Sequence, residues 1–317
     1  MDPDPSGQAW DDFVQPFQIE SHSARGRLVR LGPLVDSVIA RHDYPAPVAT
    51  MLGELLALAA VVAGALKFDG VFTLQAKGDG PIRTLMADIT SDGGMRGYAQ
   101  FDQARFEGEG EDEDVSGGTA RSSVPRLLGS GYLAFTVDQG PDTERYQGIV
   151  ELAGATLADC AHAYFRQSEQ LQAAVKLAST PANGSGPGAA ALMVQRLPGE
   201  GRTTVSGDVE EHEADDAWRR TVALMGSCTD EELLDADLHP HRLLFRLFHE
   251  DGVRVFEPRN LVMQCRCSDD KVANMLRSFP RAEIEDLKVG DLVVVTCEFC
   301  GVTYEFDETA LDGVYSA

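Results

Sequence analysis

Apolar positions change their period several times along this chain, and each change marks a boundary between elements. Alternation at residues 17–22 and 26–31 predicts two strands, the second placing Arg27 and Val29 on one side and Leu28 and Arg30 on the other. A helix is expected over 34–40, broken by Tyr44-Pro45-Ala46-Pro47. Residues 48–67 then read as a long helix whose second half is apolar all round, the mark of burial on every face. From Val71 the period drops to two. Short runs at 71–76, 82–89 and 95–101 are separated by Gly78-Asp79-Gly80-Pro81 and Ser91-Asp92-Gly93-Gly94, which read as hairpin turns.

Further along, residues 107–118 are rich in glycine and acid and read as a solvated loop. A strand pair is predicted at 132–137 and 146–152, then a helix at 156–168 capped by Thr156. Two more strands, 170–178 and 189–197, flank a turn at 181–187. Strands clustered with helices, without regular βαβ alternation, predict an α+β fold with a large N-terminal mixed domain at residues 1–198. Residues 199–216 are polar and acidic and read as a mobile connector. Helical patterns follow at 218–225, at 230–237 behind a capping box from Thr229 to Glu232, and at 241–249. Leu243, Leu244, Leu247 and Phe248 form an apolar stripe on the last of these, which something must cover. The connector and helical linker thus occupy 199–261, and residues 262–317 form a small unit around four cysteines.

The formal charge of −24 repels phosphate backbones and anionic lipid, so neither nucleic acid nor a membrane is an expected partner. Residues 262–317 carry five Lys or Arg against eleven Asp or Glu, a net of −6, which also disfavours a nucleic-acid-binding zinc ribbon. Residues 1–14 show no basic region followed by an apolar stretch, and the longest apolar run, 55–66, is short for a bilayer. A cytoplasmic protein is expected. In that reducing compartment closely spaced cysteines point to metal or redox chemistry.

Cys265-Arg266-Cys267 and Cys297-Glu298-Phe299-Cys300 stand 29 residues apart. Zinc favours tetrahedral sulfur ligation, and two close pairs from separate chain segments can converge on one ion. One Zn2+ per chain is therefore predicted, held by Cys265, Cys267, Cys297 and Cys300. Four thiolates fill the shell and leave no position for a catalytic water, which argues against a zinc hydrolase. Gly301 suits the tight turn of a metal knuckle, with 292–295 and 302–306 as hairpin arms.

Two readings of the site remain open from the residues. In one it is a passive staple for a unit too small to fold without its metal. In the other it is a switch. Metal-bound thiolates are nucleophilic, an oxidant attacks them, the resulting disulfides cannot hold the metal, and the unit unfolds. The stripe at Leu243 to Phe248, if docked on the large domain, would then be released as a surface for unfolded chains.

Several stretches make the sequence resemble the redox-regulated bacterial heat-shock chaperone of 33 kDa, the 33 kDa chaperonin family. They include His42-Asp43-Tyr44-Pro45, Leu52-Gly53-Glu54-Leu55-Leu56, Leu66-Lys67-Phe68-Asp69-Gly70 and Tyr146-Gln147-Gly148-Ile149-Val150. Later come Arg246-Leu247-Phe248-His249-Glu250 and both cysteine pairs, with Tyr304 and Phe306 beyond. The resemblance runs through nearly the whole chain. It implies an ATP-independent holdase rather than an enzyme, inactive while reduced and zinc-bound, whose N-terminal domain binds clients and dimerises. It implies disulfides Cys265–Cys267 and Cys297–Cys300 on oxidation, loss of zinc and unfolding of the linker. The implied partners are unfolded or partly unfolded client proteins, a second copy in an oxidised homodimer, and ATP-driven foldases that receive clients. Asp269-Asp270-Lys271 follows the first pair where the family more often carries bases, which implies slower thiolate oxidation here.

The remaining chemistry-bearing residues have plainer readings. Cys160 is expected to pack on a helix face. Cys228, beside the Thr229 cap, is expected to be ordinary, with a low-pKa thiol as the alternative. His239, His241 and His249 are expected to cap and pack, and Glu54 to lie at the surface or in an ion pair. The chain has no GxSxG, P-loop or HExxH, and GxGxxA matches at 129–134 and 184–189 precede strands instead of opening helices. The enzymatic alternatives are a thiol oxidoreductase built on Cys297 and Cys300 and a hydrolase in the large domain.

Overall fold

The alternating residues near the start of the chain form β1 (Phe13–Ile19) and β2 (Ala24–Leu31), an antiparallel pair in which Phe17 faces Gly26. The first strand starts and ends earlier than its alternation predicts, because residues 20–23 make the turn. In this computed structural model the described residues are 11–107, 123–140, 143–167, 171–180, 188–197 and 208–316. Nearly all of the expected loop at 107–118, the turn at 181–187 and the connector at 199–207 lie outside them. The chain divides into two compact units, Met1–Met263 and Gln264–Ala317.

Helix α1 (Pro33–Ile39) carries its proline in the first turn, where no backbone donor is missed. Helix α2 (Ala46–Ala63) ends before Gly64, whose carbonyl accepts from Arg27 Nε at 2.6 Å, setting a cation at the negative end of the helix dipole. Residues 48–63 of α2 are all buried, including Glu54 at 7% exposure, so of the two positions expected for Glu54, at the surface or in an ion pair, the surface one does not hold. The apolar composition around it decides: a helix buried on all faces takes its few polar residues inside with it. By length and composition α2 could cross a membrane, yet it is the packed centre of this unit.

The period-two segments form β3 (Val71–Gly78), β4 (Ile82–Thr90) and β5 (Gly94–Phe101). After the short helices α3 (Gln103–Glu107) and α4 (Val124–Leu127) come β6 (Gly131–Asp138) and β7 (Tyr146–Glu151). Helix α5 (Leu157–Gln167) begins where Thr156 Oγ1 accepts from Asp159 N, and Asp159 returns a carboxylate to Thr156 N. Strands β8 (Ala173–Ser179) and β9 (Ala189–Arg196) complete the strand pairs.

Helix α6 (Asp208–Gly226) starts inside the segment expected to be a connector, so residues 208–216 are helical. Acidic residues suit the first turns of a helix, where the dipole is positive, and that preference outweighs the lack of apolar residues there. Helices α7 (Asp230–Leu234) and α8 (Pro240–Phe248) follow, then β10 (Val253–Val255), β11 (Arg259–Asn260) and β12 (Val262–Met263).

Two sheets result. One runs β10-β1-β2-β9-β8, with β11 also on β1; the other runs β12-β5-β4-β3-β6-β7, with β12 parallel to β5. Helix α2 packs against strands of both, which places the main core between the sheets. The other face of the first sheet is covered by α6, α7 and α8.

The second unit contains α9 (Asp269–Arg277), α10 (Arg281–Glu285), the antiparallel pair β13 (Val293–Thr296) and β14 (Thr303–Phe306), and α11 (Glu308–Ser316). Its core is seven buried side chains: Val272, Leu276, Ile284, Val293, Phe306, Leu311 and Val314.

Candidate metal centre

The hairpin places one half of the site. Pairing of Thr296 with Thr303 closes the strands onto Cys297-Glu298-Phe299-Cys300, where Cys297 N donates to Val302 O at 2.9 Å and Gly301 N to Cys297 O at 2.8 Å. Gly301 has φ +68°, a left-handed turn that a side chain would strain. The other half precedes α9. Ser268 caps that helix, Asp269 and Asp270 occupy its first turn, and Lys271 Nζ donates to Arg266 O at 2.6 Å.

These two arms bring the Sγ atoms of Cys265, Cys267, Cys297 and Cys300 within 4.8 Å of one another. Cys265 lies 3.7 Å from Cys297 and Cys267 lies 3.4 Å from Cys300, so sulfurs of the two arms meet. Sulfurs about 2.3 Å from a tetrahedral ion stand ~3.8 Å apart, and the cluster fits that spacing. These four cysteines could hold a metal ion.

Their electrostatics agree. Burial raises the Cys297 thiol and pushes Cys300 up to about 12, with neighbouring sulfurs adding to the effect at Cys300. At Cys297 and Cys300 both shifts oppose ionisation, which a bound cation would offset. The Tyr304 hydroxyl on β14 hydrogen-bonds Cys267, and that contact raises the phenol above its ordinary range. On the surface of the same unit Arg281 pairs with Glu285, Glu308 and Asp312.

A second surface of interest lies within the first unit, where the linker helices cover the first sheet. The expected stripe is buried: Leu243, Leu244, Leu247 and Phe248 meet Phe17, Leu28, Leu192 and Val194. Phe17 is held between Gly26, where a Cβ would meet its ring at 2.1 Å, and Phe248, whose ring stacks on it at 5.6 Å. Arg30 is fully buried, and donates to the linker carbonyls of Leu238, Leu233 and Glu232 at 2.7, 2.9 and 3.1 Å. Burial lowers its pKa, while Asp235, Cys228 and Asp11 act in the opposite direction. Alternation put Arg30 on the same side as Leu28, but no pattern along the strand says that its partners are carbonyls two hundred residues away.

The linker histidines cap and pack. His239 Nδ1 accepts from His241 N, His241 Nε2 hydrogen-bonds Gln15 Oε1 at 3.1 Å, and His249 Nδ1 lies 3.0 Å from the Phe245 carbonyl. The Thr229–Glu232 capping box is present. Cys160 is buried in the main core. Cys228, within the linker, is buried against the first sheet, where desolvation pushes its thiol up to about 11, so the low-pKa alternative does not hold. An apolar cavity of about 120 Å3, lined by Phe72, Phe135, Tyr164 and Met193 among others, has tyrosines as its only titratable side chains and no acid or base set for hydrolysis.

A family model described as "Hsp33 protein" matches residues 12–307. A "33 kDa chaperonin" from Caulobacter vibrioides is 43% identical over 298 residues, covering 94% of this chain and 95% of that protein. One from Azotobacter vinelandii is 39% identical over 307 residues, covering 96% and 95%. Among solved structures, the 33 kDa chaperonin (heat shock protein 33 homolog) of Thermotoga maritima is similar in fold, with a TM-score of 0.76 at 24% identity over 96% of this chain and 98% of that one.

Proposed function

The chain belongs to the Hsp33 family, whose members are chaperonins and not enzymes, and from that premise we propose that it is a redox-controlled, ATP-independent holdase. The observation that carries the reading is the cluster of four sulfurs in a unit whose own core is seven side chains. Cys265, Cys267, Cys297 and Cys300 would hold one Zn2+ in the reduced form. When bound, zinc keeps the thiols ionised and supplies about 10 to 16 kcal/mol of folding free energy.

Peroxide is the oxidant class. Each pair of cysteines gives up two electrons and forms one S–S bond, and each peroxide takes those electrons with two protons to become two waters. The resemblance to the family implies the bridges Cys265–Cys267 and Cys297–Cys300. Bridges within an arm leave the arms free to part, whereas Cys265–Cys297 or Cys267–Cys300 would pin them together. The disulfides no longer ligate the metal, and the C-terminal unit loses the main source of its order.

The linker strands directly precede this unit in sequence. β12 ends at Met263, two residues before Cys265, and β10, β11 and β12 hold only sheet edges. Their release frees α7 and α8, exposing both the apolar stripe and the sheet face beneath it. Unfolding clients bind there in the cytoplasm, the oxidised chain pairs as a homodimer, and clients pass to ATP-driven foldases after reduction.

The test is to treat reduced, zinc-loaded protein with peroxide at a mildly denaturing temperature, following zinc release, free thiols and suppression of client aggregation together. Zinc and thiols should fall as suppression rises. Loss of zinc without any gain in suppression would reduce the site to a staple.

A further inference from the structure

The sheet face beneath the linker has a charge pattern opposite to that of the chain. Strands β1, β2, β8 and β9 contain the cations Arg25, Arg27, Arg30, Lys176 and Arg196 and no acid, in a protein of net charge −24. Alternation and register put Arg30, Lys176 and Arg196 on the side that carries Leu28, Leu192 and Val194. All three meet the linker. Arg30 takes three of its carbonyls, Lys176 pairs with Asp230 at 2.7 Å with both side chains nearly buried, and Arg196 pairs with Asp215 at 2.6 Å. The linker therefore covers an apolar floor that carries cations with the apolar stripe of α8, and meets two of those cations with acids, Asp230 of α7 and Asp215 of α6.

Undocking would leave those cations on an apolar surface, where ion pairs are stronger than in open water. Such groups set selectivity more than raw affinity. Resting on the reading that oxidation undocks the linker, we propose that the uncovered face of the first sheet selects client segments whose apolar stripe is flanked by Asp or Glu, the pattern with which the linker itself holds that face in the reduced form. Long-range forces oppose this choice, because a chain of charge −24 repels acidic peptides. A preference for acid is thus a signature of the local face and not of the overall field.

The probe is a fluorescent synthetic peptide with the sequence of residues 229–250, which holds both the stripe and six acids, compared with a version in which every Asp is Asn and every Glu is Gln. Binding is measured by anisotropy to the full-length peroxide-treated protein, with aggregation of an unfolded client followed on the same sample. The acidic peptide should bind about tenfold more tightly than the amide version. The gap should close to about twofold or less in the Lys176→Gln, Arg196→Gln double variant, and raised salt should narrow it in the parent. Equal binding, or tighter binding of the amide peptide, overturns the charge selection. If the protein suppresses aggregation yet binds neither peptide, the proposed face is wrong while the holdase reading stands. If suppression is absent as well, both fall.

Discussion

Around α2 residues 48–63 are buried without a break and two six-stranded sheets close over them, whereas the second unit has seven buried apolar side chains and one four-residue strand pair. The first core needs nothing but its own side chains to exclude water. The second brings four thiols within 4.8 Å, an arrangement that opposes its own ionisation until a cation arrives. One chain thus joins a region whose order is written in burial to one that, on the function proposed, takes its order from a metal. The linker belongs to the first kind by packing, because its stripe and Arg30 clamp lie in the first unit, and is joined to the second by chain continuity at Met263.

Removing the metal should break this comparison most sharply. Cys300→Ser should lose zinc and with it about 10 to 16 kcal/mol, unfolding residues 264–317 while α2 and both sheets stay protected from amide exchange. A variant that keeps an ordered C-terminal unit without metal would erase the distinction. Phe248→Ala comes next. It removes the ring stacked on Phe17 and should weaken linker docking by about 3 to 5 kcal/mol, giving client binding in reduced protein that still holds its zinc. Unchanged chaperone activity in that reduced variant would show that docking does not gate the surface.

Thr229→Ala removes one side of the capping box and should cost about 1 kcal/mol, read as faster amide exchange in α7 with no change in zinc content. The smallest effect concerns pH. His162 Nε2 accepts from Val175 N at 2.7 Å and is therefore neutral in the fold, and burial, the largest influence on it, lowers its pKa below the ordinary 6.5. The unfolded imidazole takes a proton at higher pH than the folded one, so this contribution is complete above pH 6.5 and is lost as the pH falls through the lowered value. Thermal melts of the first unit should drop on acidification from pH 7, and His162→Gln should flatten the slope. An equal slope in both proteins would remove His162 from the account.

Much of the architecture was legible because local and global signals agree. The apolar run of α2, the glycine turns between β3, β4 and β5, the Thr229 box and the cysteine spacing each carry their instruction within a few residues. The misses have a common cause in tertiary context. Glu54 is buried because its whole helix is buried, which its own polarity does not announce. Strands β10, β11 and β12 are two or three residues long and have no periodicity of their own; existing sheet edges define them. At the candidate metal centre the four cysteines that cluster could be read from spacing, while the Tyr304 contact with Cys267 depends on the register of a hairpin.

The most direct test is amide hydrogen exchange on one preparation, reduced and zinc-loaded, before and after peroxide treatment at mildly denaturing temperature, with zinc and thiols counted alongside. Exchange should speed up in residues 264–316 and in α7 and α8 as the metal is lost, with α2 unchanged. A protein stripped of metal that still protects β13, β14 and α8 as fully as before would contradict the account.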